Sequence, residues 1–204
     1  MYVRFIIDGN TYIRLVCDDV DDEYQLIMCS PGKMELWYKN KPICLLHKNS
    51  DSNSLWDVML AAEDSLKAVL KRELEPLPGW PSVGYMLNEY YYHLRWPEGD
   101  PNNKIVLYAM WSPGLLPSTL LYNRNGEIIL QIVPIFRWFV NQIPYKVFIR
   151  NYRSYFTCTI SHETAQEWLN QVMKLKKIIL DNYDRDKANM VEEIWSSKKS
   201  AEHK

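Results

Sequence analysis

The chain has 204 residues, of which 47% are hydrophobic and 24% charged, and its formal net charge is −1. This composition is that of an ordinary folded domain and excludes a disordered or low-complexity chain. It also excludes a helical membrane protein, because no apolar run approaches the ~18 to 20 residues that a membrane span requires.

The first fifty residues predict a meander of four or five short antiparallel strands. Two β-rich runs, "YVRFIID" and "YIRLVCD", flank the turn residues "DGN", which is typical of a hairpin. The runs "YQLIMCS", "MELWYK" and "PICLLHK" follow, separated by residues that favour turns. Arg4 and Asp8 lie where a signal peptide needs an uninterrupted apolar stretch, so we expect a cytoplasmic protein.

An acidic run interrupts this meander and forms its one long connection. Its five carboxylates occupy six consecutive positions: Asp18, Asp19, Asp21, Asp22 and Glu23. Residues 1–100 carry a net charge of −6, whereas residues 101–204 carry +5. Five carboxylates cannot be buried without partners, so we expect them in water. They predict either a solvated loop that protects a strand edge or a docking surface for a basic protein.

Three helices are indicated by apolar residues at spacings of three and four. The first follows a Ser54 N-cap and ends at Pro76, and the second covers about 82–96. The third is long and begins after a Ser161 N-cap, with Trp168 and Val172 in its apolar stripe.

The middle of the chain returns to strands. "KIVLYAMW" predicts one strand, and "STLLYNRNGEIILQIV" predicts a hairpin, because Asn125-Gly126 suits a type I′ turn. Pro134 should end that hairpin or place it at an edge. "PYKVFIRNY" predicts a short helix and "YFTCTI" another strand.

This order of elements predicts an α+β fold with mainly antiparallel sheets. An N-terminal β-meander and a central hairpin would pack against two or three helices, including the long C-terminal helix. We expect a single domain over residues 1–184, with two small lobes, 1–96 and 104–184, as the alternative. Residues 185–204 are highly charged and predict a loosely held C-terminal segment.

Signatures of cofactor and metal chemistry are missing from the sequence. The seven glycines form no phosphate-binding loop, and no G-x-S-x-G elbow is present. The four cysteines are isolated and predict reduced thiols. Cys44 and His47 are three apart, and we expect them on opposite faces of one strand, so no metal site is predicted. We expect no cofactor.

One set of residues could support acid–base catalysis. In a helix over 82–96, Glu89 and His93 lie one turn apart on the same face, with Arg95 offset around the helix. A carboxylate can orient an imidazole in this arrangement, as a catalytic base often requires. The alternative is an ordinary solvated helix face.

Aromatic residues are concentrated in and beyond this helix. Tyr90, Tyr91, Tyr92 and Trp96 belong to that concentration, and three consecutive tyrosines cannot all face inward from one helix. Large rings predict either core or a binding surface. Nucleic acid is disfavoured as the partner, because residues 51–100 contain nine acidic and four basic residues.

The sequence therefore favours a small, non-catalytic protein-binding module with a basic partner. Its size, local acidity, aromatic content and lack of catalytic signatures give it a profile similar to that of bacterial immunity proteins, although no family motif carries the similarity. That similarity implies an inhibitor that covers the active site of a basic toxin, for example a nuclease. The alternatives are an enzyme that acts on a small or nucleotide substrate, and a structural or adaptor subunit.

Overall fold

A computed structural model describes residues 2–16, 33–47, 55–93, 105–111, 116–137 and 142–201, with only the backbone described from residue 182 onward. The strands are β1 (Tyr2–Ile6), β2 (Tyr12–Val16), β3 (Lys33–Tyr38), β4 (Lys41–His47), β5 (Ala109–Trp111), β6 (Ser118–Arg124), β7 (Glu127–Val133) and β8 (Phe156–Ile160). The helices are α1 (Leu55–Leu70), α2 (Val83–His93), α3 (Ile105–Tyr108), α4 (Tyr145–Arg150) and α5 (His162–Ala201). The protein is α+β, as predicted.

Both sheets are antiparallel and follow the order of the sequence. Sheet A has the order β1-β2-β3-β4, and sheet B has the order β5-β6-β7-β8. The predicted hairpin around "DGN" is confirmed, since Tyr2 pairs with Val16 and Ile6 with Tyr12. The strand predicted at "YQLIMCS" and the N-cap predicted at Ser54 lie outside the described residues.

Sheet A buries one face and presents a polar, aromatic face on the other side. On that second face the Tyr12 and Trp37 rings are stacked, and the Arg14 guanidinium lies 4.9 Å from the Trp37 ring. Arg14 also donates to Glu35 at 2.6 Å. Burial acts to raise the pKa of Glu35, but hydrogen bonds from Lys33, Arg14 and Trp37 outweigh it and hold the pKa below its ordinary value. Glu35 is therefore charged and paired.

A bulge in sheet A changes the expected position of one candidate ligand pair. Cys44 pairs with Glu35, whereas His47 pairs with Lys33, because the register shifts between Met34 and Glu35. The extra residue puts the register positions of Cys44 and His47 on the same side of the sheet. The backbone register therefore differs from the simple alternation that the prediction assumed, and the direction of the His47 side chain lies outside what the structure describes.

The central hairpin forms as its turn residues predict. Asn125 and Gly126 both have positive φ, 54° and 82°, which a type I′ turn requires. Both faces of this hairpin are covered, since β6 is buried from Ser118 to Asn123. The β7 strand ends at Val133, immediately before Pro134.

The run "KIVLYAMW" is not one strand. It begins as the one-turn helix α3 and becomes strand only at Ala109. Tertiary contacts hold this turn in place: the Ser65 hydroxyl donates to the Leu107 carbonyl at 2.7 Å, and the Tyr108 hydroxyl donates to the Glu75 carbonyl at 2.6 Å. The local preference of an apolar run for strand is overridden by this packing.

Helix α1 ends earlier than its apolar stripe predicts. Arg72 has φ +60°, the Glu73 amide donates to the Ala68 carbonyl, and the Arg72 amide donates to the Val69 carbonyl. This is a Schellman cap with arginine at the position where glycine is usual. Leu74 nevertheless stays in the core, because Asn123 bonds to its backbone amide and carbonyl.

Helix α5 packs along α1. Its predicted cap is confirmed, as the Ser161 hydroxyl accepts the Thr164 amide at 3.0 Å. The buried stripe consists of Ala165, Trp168, Leu169, Val172, Leu175 and Ile179. The backbone remains helical to Ala201; how tightly residues 185–204 are held stays a prediction.

A charged pair joins the two packed helices. Glu63 of α1 is buried and accepts from both Lys67 and Lys176, and the Lys176 ammonium lies 4.7 Å from the Trp56 ring. The hydrogen bonds from these two lysines lower the pKa of Glu63. The pair is an electrostatic link between α1 and α5.

Buried residues from both sheets and from α1, α2 and α5 form one continuous hydrophobic cluster. Trp168 joins α5 to strand β1, because its indole donates to the Ile6 carbonyl at 2.8 Å and its ring contacts Phe5. Among the described residues, no helix is long and apolar enough to cross a membrane.

Candidate functional site

The described part of the chain concentrates aromatic and polar side chains where α2 meets α4. We call this group the Tyr145 cluster, and its members are Glu89, Tyr92, His93, Phe136, Tyr145 and Phe148. Helix α2 supplies the first three, the segment after β7 supplies Phe136, and α4 supplies the last two.

A buried asparagine positions the segment that carries Phe136. The Asn88 side-chain amide donates to the Gly84 carbonyl at 2.9 Å and to the Pro134 carbonyl at 3.0 Å. Its oxygen accepts the Phe136 amide at 2.6 Å. The nitrogen and the oxygen of the buried Asn88 amide therefore both have hydrogen-bond partners, and these bonds fix residues 134–136 against α2.

Tyr145 is the centre of the cluster. Its ring stacks on Tyr92, with centroids 3.8 Å apart and planes 6° from parallel, and its hydroxyl donates to Glu89 Oε1 at 2.6 Å. Burial, and then the hydrogen bond to Glu89, raise the pKa of Tyr145 well above its ordinary value. Tyr145 is therefore a protonated donor that holds the Glu89 carboxylate in place.

The predicted Glu89 and His93 pair lies on one face of α2. His93 Nε2 is 3.2 Å from Glu89 Oε2, and the His93 side chain is 52% exposed against 21% for Glu89. One carboxylate thus contacts Tyr145 with one oxygen and His93 with the other. The arrangement can orient the imidazole. It also connects His93, through Glu89, to the stacked rings of Tyr145 and Tyr92.

The three consecutive tyrosines of α2 divide as helical spacing requires. Tyr90 and Tyr91 are partly buried and pack against the core, whereas Tyr92 is 45% exposed. The Arg137 guanidinium lies 4.7 Å from the Tyr91 ring. Tyr92 therefore presents its ring to solvent while its neighbours support the helix.

Other aromatic residues belong to the interior. Tyr108 and Trp111 are buried, and the Trp111 indole donates to the Val58 carbonyl at 3.0 Å. For these rings the core interpretation is correct, since both polar tips have partners.

Several predicted site residues cannot be placed. The acidic run, together with Arg95 and Trp96, lies outside the described residues. In the sequence, Arg95 and Trp96 are two and three positions after His93, the last described residue of α2.

Sequence reasoning did not assign Tyr145 and Phe148 to the site. The signal was present, because Tyr145, Phe148 and Tyr152 recur at helical spacing in the short helix that was predicted. Their meeting with Glu89 could not be read from that spacing, because Tyr145 and Glu89 are 56 positions apart.

Metal and thiol chemistry receive little support from the described residues. In those parts of the chain, no group of three or more His, Cys, Asp or Glu side chains could hold a metal ion. Burial, with Asp8 nearby, raises the pKa of the Cys158 thiol to about 12, so this thiol is protonated and unreactive at neutral pH.

Comparisons of the chain with protein-family models, with curated proteins and with solved structures give no match.

Proposed function

We propose that the protein is a cytoplasmic, non-catalytic protein-binding module and that the Tyr145 cluster is the centre of its contact surface. The observation that carries this proposal is the position of Tyr92, a residue that is 45% exposed while its ring stacks on the buried Tyr145. A ring already fixed by its neighbours loses little entropy when a partner covers it. Such side chains are typical of binding hot spots.

The most concrete form of this proposal is an immunity-type inhibitor of a basic toxin. Its support is the sequence charge, since the five carboxylates from Asp18 to Glu23 would attract a basic partner. Charge of this kind mainly raises the association rate and the specificity, while aromatic contacts supply affinity. The alternative kind of binding module is a structural or adaptor subunit that uses the same rings for assembly.

The first test replaces Tyr92 by serine. We expect Tyr92→Ser to lower the affinity for the captured partner by about 30-fold or more, because a hot-spot ring contributes ~2 kcal/mol or more to binding. The partner is captured from the native host's lysate at low salt and its affinity is then measured in purified form. Release by about 0.5 M salt would indicate an electrostatic contribution.

Tyr155→Ser is the matched control, because Tyr155 is also an exposed tyrosine and contributes no ring to the Tyr145 cluster. This variant should bind like the unmodified protein. Unchanged affinity in Tyr92→Ser, with normal thermal unfolding in both variants, would remove the Tyr145 cluster from the contact surface.

A second function is favoured by the hydrogen-bonded set of Tyr145, Glu89 and His93. In an enzyme on a small or nucleotide substrate, His93 would act as the base and Glu89 would orient it. We then expect His93→Gln to abolish turnover in a panel of nucleoside mono- and triphosphates. His162→Gln is the control, since His162 is an exposed histidine on another helix. No turnover by the unmodified protein would count against this function.

A further inference from the structure

Helix α4 and the residue two positions before it present an unusual combination of side chains to solvent. Ile143 and Val147 are 45% and 43% exposed, and Lys146 and Arg150 are also exposed. We call these four residues the α4 stripe. Their positions are 143, 146, 147 and 150. Lys146, Val147 and Arg150 therefore share one face of the helix.

The opposite side of α4 is occupied by the protein's own packing. Tyr145 stacks on Tyr92, and the Phe148 ring lies 5.3 Å from Phe136 and 6.5 Å from Tyr152. The helix is held by this aromatic side, so the α4 stripe is turned outward on a fixed support.

The sequence on both sides of the stripe carries charge of one sign, although the Glu89 carboxylate of α2 lies on the opposite side of α4 against Tyr145. From Ile128 to His162 the sequence contains no acidic residue and four basic ones, Arg137, Lys146, Arg150 and Arg153. In the described structure neither Lys146 nor Arg150 makes an ion pair. Cations without a counter-ion on a common face create a positive field that attracts anionic groups.

We propose that the α4 stripe docks an acidic segment of a partner protein. Carboxylates of that segment would pair with Lys146 and Arg150, and its aliphatic side chains would pack on Ile143 and Val147. This inference goes beyond the proposed function, because it assigns a second contact whose charge is opposite to that of a basic partner.

The side chains of the stripe favour a protein segment over other anionic partners. Single-stranded nucleic acid binds through rings on which bases stack, and the stripe contains none. A membrane surface needs a large apolar face, and two aliphatic side chains, one on a six-residue helix and one just before it, provide little area. An acidic peptide with interspersed aliphatic residues matches both the charge and the apolar contacts.

The test uses a short fluorescein-labelled peptide in which Glu and Leu alternate, with its Gln/Leu counterpart as the neutral probe. Fluorescence anisotropy should show that the intact protein binds the acidic probe in preference to the neutral one. Lys146→Glu combined with Arg150→Glu should weaken that binding by about tenfold or more. Lys174→Glu combined with Lys177→Glu is the control, since it makes the same charge change on exposed residues of α5 and should bind like the unmodified protein.

Three results would overturn the inference: equal binding of both probes, equal weakening by both double variants, or unchanged binding after reversal of the α4 charges. Tighter binding of a thymidine oligonucleotide or of phosphatidylserine vesicles would also overturn it and identify another class of partner. Lys146→Glu combined with Arg150→Glu leaves every side chain of the Tyr145 cluster in place and should not weaken the captured basic partner, so failure here is distinguishable from failure of the proposed function.

Discussion

Gly84→Ala is expected to lower the free energy of unfolding by about 2–3 kcal/mol, although the same change in most helices stabilises by up to ~1 kcal/mol. A methyl group at Gly84 would overlap the Tyr152 hydroxyl oxygen, and it would lie 2.9 Å from Tyr152 Cζ and 3.0 Å from Val133 Cγ1. The ring cannot move aside freely, because it contacts Phe148. Denaturant unfolding at neutral pH measures the effect.

Two variants isolate the cause of this loss. Gly9→Ala is the matched control, since nothing lies within 4 Å of a methyl group there, and we expect a change within about 0.5 kcal/mol. Tyr152→Phe removes the overlapping oxygen, which is buried without a hydrogen bond of normal geometry, so it should be nearly neutral alone. In the Tyr152→Phe background, Gly84→Ala should cost ~1 kcal/mol less. A Gly84→Ala protein as stable as the original would contradict this packing of α2 on Tyr152.

The same substitution also tests the proposed contact surface at the Tyr145 cluster. Gly84 and Tyr92 belong to one helix, and Tyr92 stacks on Tyr145 of α4. A shift of α2 away from Tyr152 would separate the stacked rings. Gly84→Ala should therefore weaken the partner contact even though Gly84 itself is buried.

Glu63→Gln is expected to cost about 2–3 kcal/mol at neutral pH. The substitution removes the negative charge that pairs with Lys176, whose side chain is largely buried between α1 and α5. Removing one partner of a buried pair leaves the other charge uncompensated. Lys67 cannot compensate for the loss, because it is also a cation. Urea unfolding of the two proteins in parallel gives the difference.

The pH dependence of that difference follows from the direction of the pKa shift. Hydrogen bonds from Lys176 and Lys67 lower the pKa of Glu63 from its ordinary value of 4.5. A lowered folded-state pKa stabilises the protein above the ordinary value, and this stabilisation is lost as the pH falls through the folded-state pKa. The original protein and Glu63→Gln should therefore differ by a constant amount above about pH 5.5 and converge in acid.

Asp64→Asn is the control for this prediction. Asp64 is the next residue on α1 and is exposed, so the same change in charge should alter stability by only about 0.5 kcal/mol or less. If Glu63→Gln were no less stable than Asp64→Asn at neutral pH, the link between α1 and α5 would contribute nothing.

Local signals account for the parts of the fold that the sequence predicted. Asn125-Gly126 tolerates the positive φ angles of its turn, and Ser161 supplies a hydroxyl to the free amides of α5. These features depend on neighbours within three or four positions. The strand order of both sheets is simple, since each described pairing joins strands that are consecutive among the described ones, but β2–β3 and β7–β8 are joined by long connections that no local signal explains.

The failures have a different physical origin. The end of α1 has no glycine to mark it, since Arg72 adopts the left-handed conformation instead. The turn at 105–108 is helical because of contacts from Ser65 and Tyr108 to distant carbonyls. The pairing of Glu89 and His93 was predictable from helical spacing, whereas the Tyr145 that anchors Glu89 comes from another element. The conformational preferences of short sequence segments do not predict contacts between residues that are distant in the sequence.

The contact of Trp168 with β1 can form only late in synthesis. Its hydrogen bond to Ile6 and its contact with Phe5 join positions about 160 residues apart. Strand β1 therefore emerges from the ribosome long before its final packing partner exists. Until α5 arrives, the apolar side of the first sheet lacks that cover and is a natural target for chaperones. Because this contact joins distant parts of the chain, we expect the final folding step to be slow.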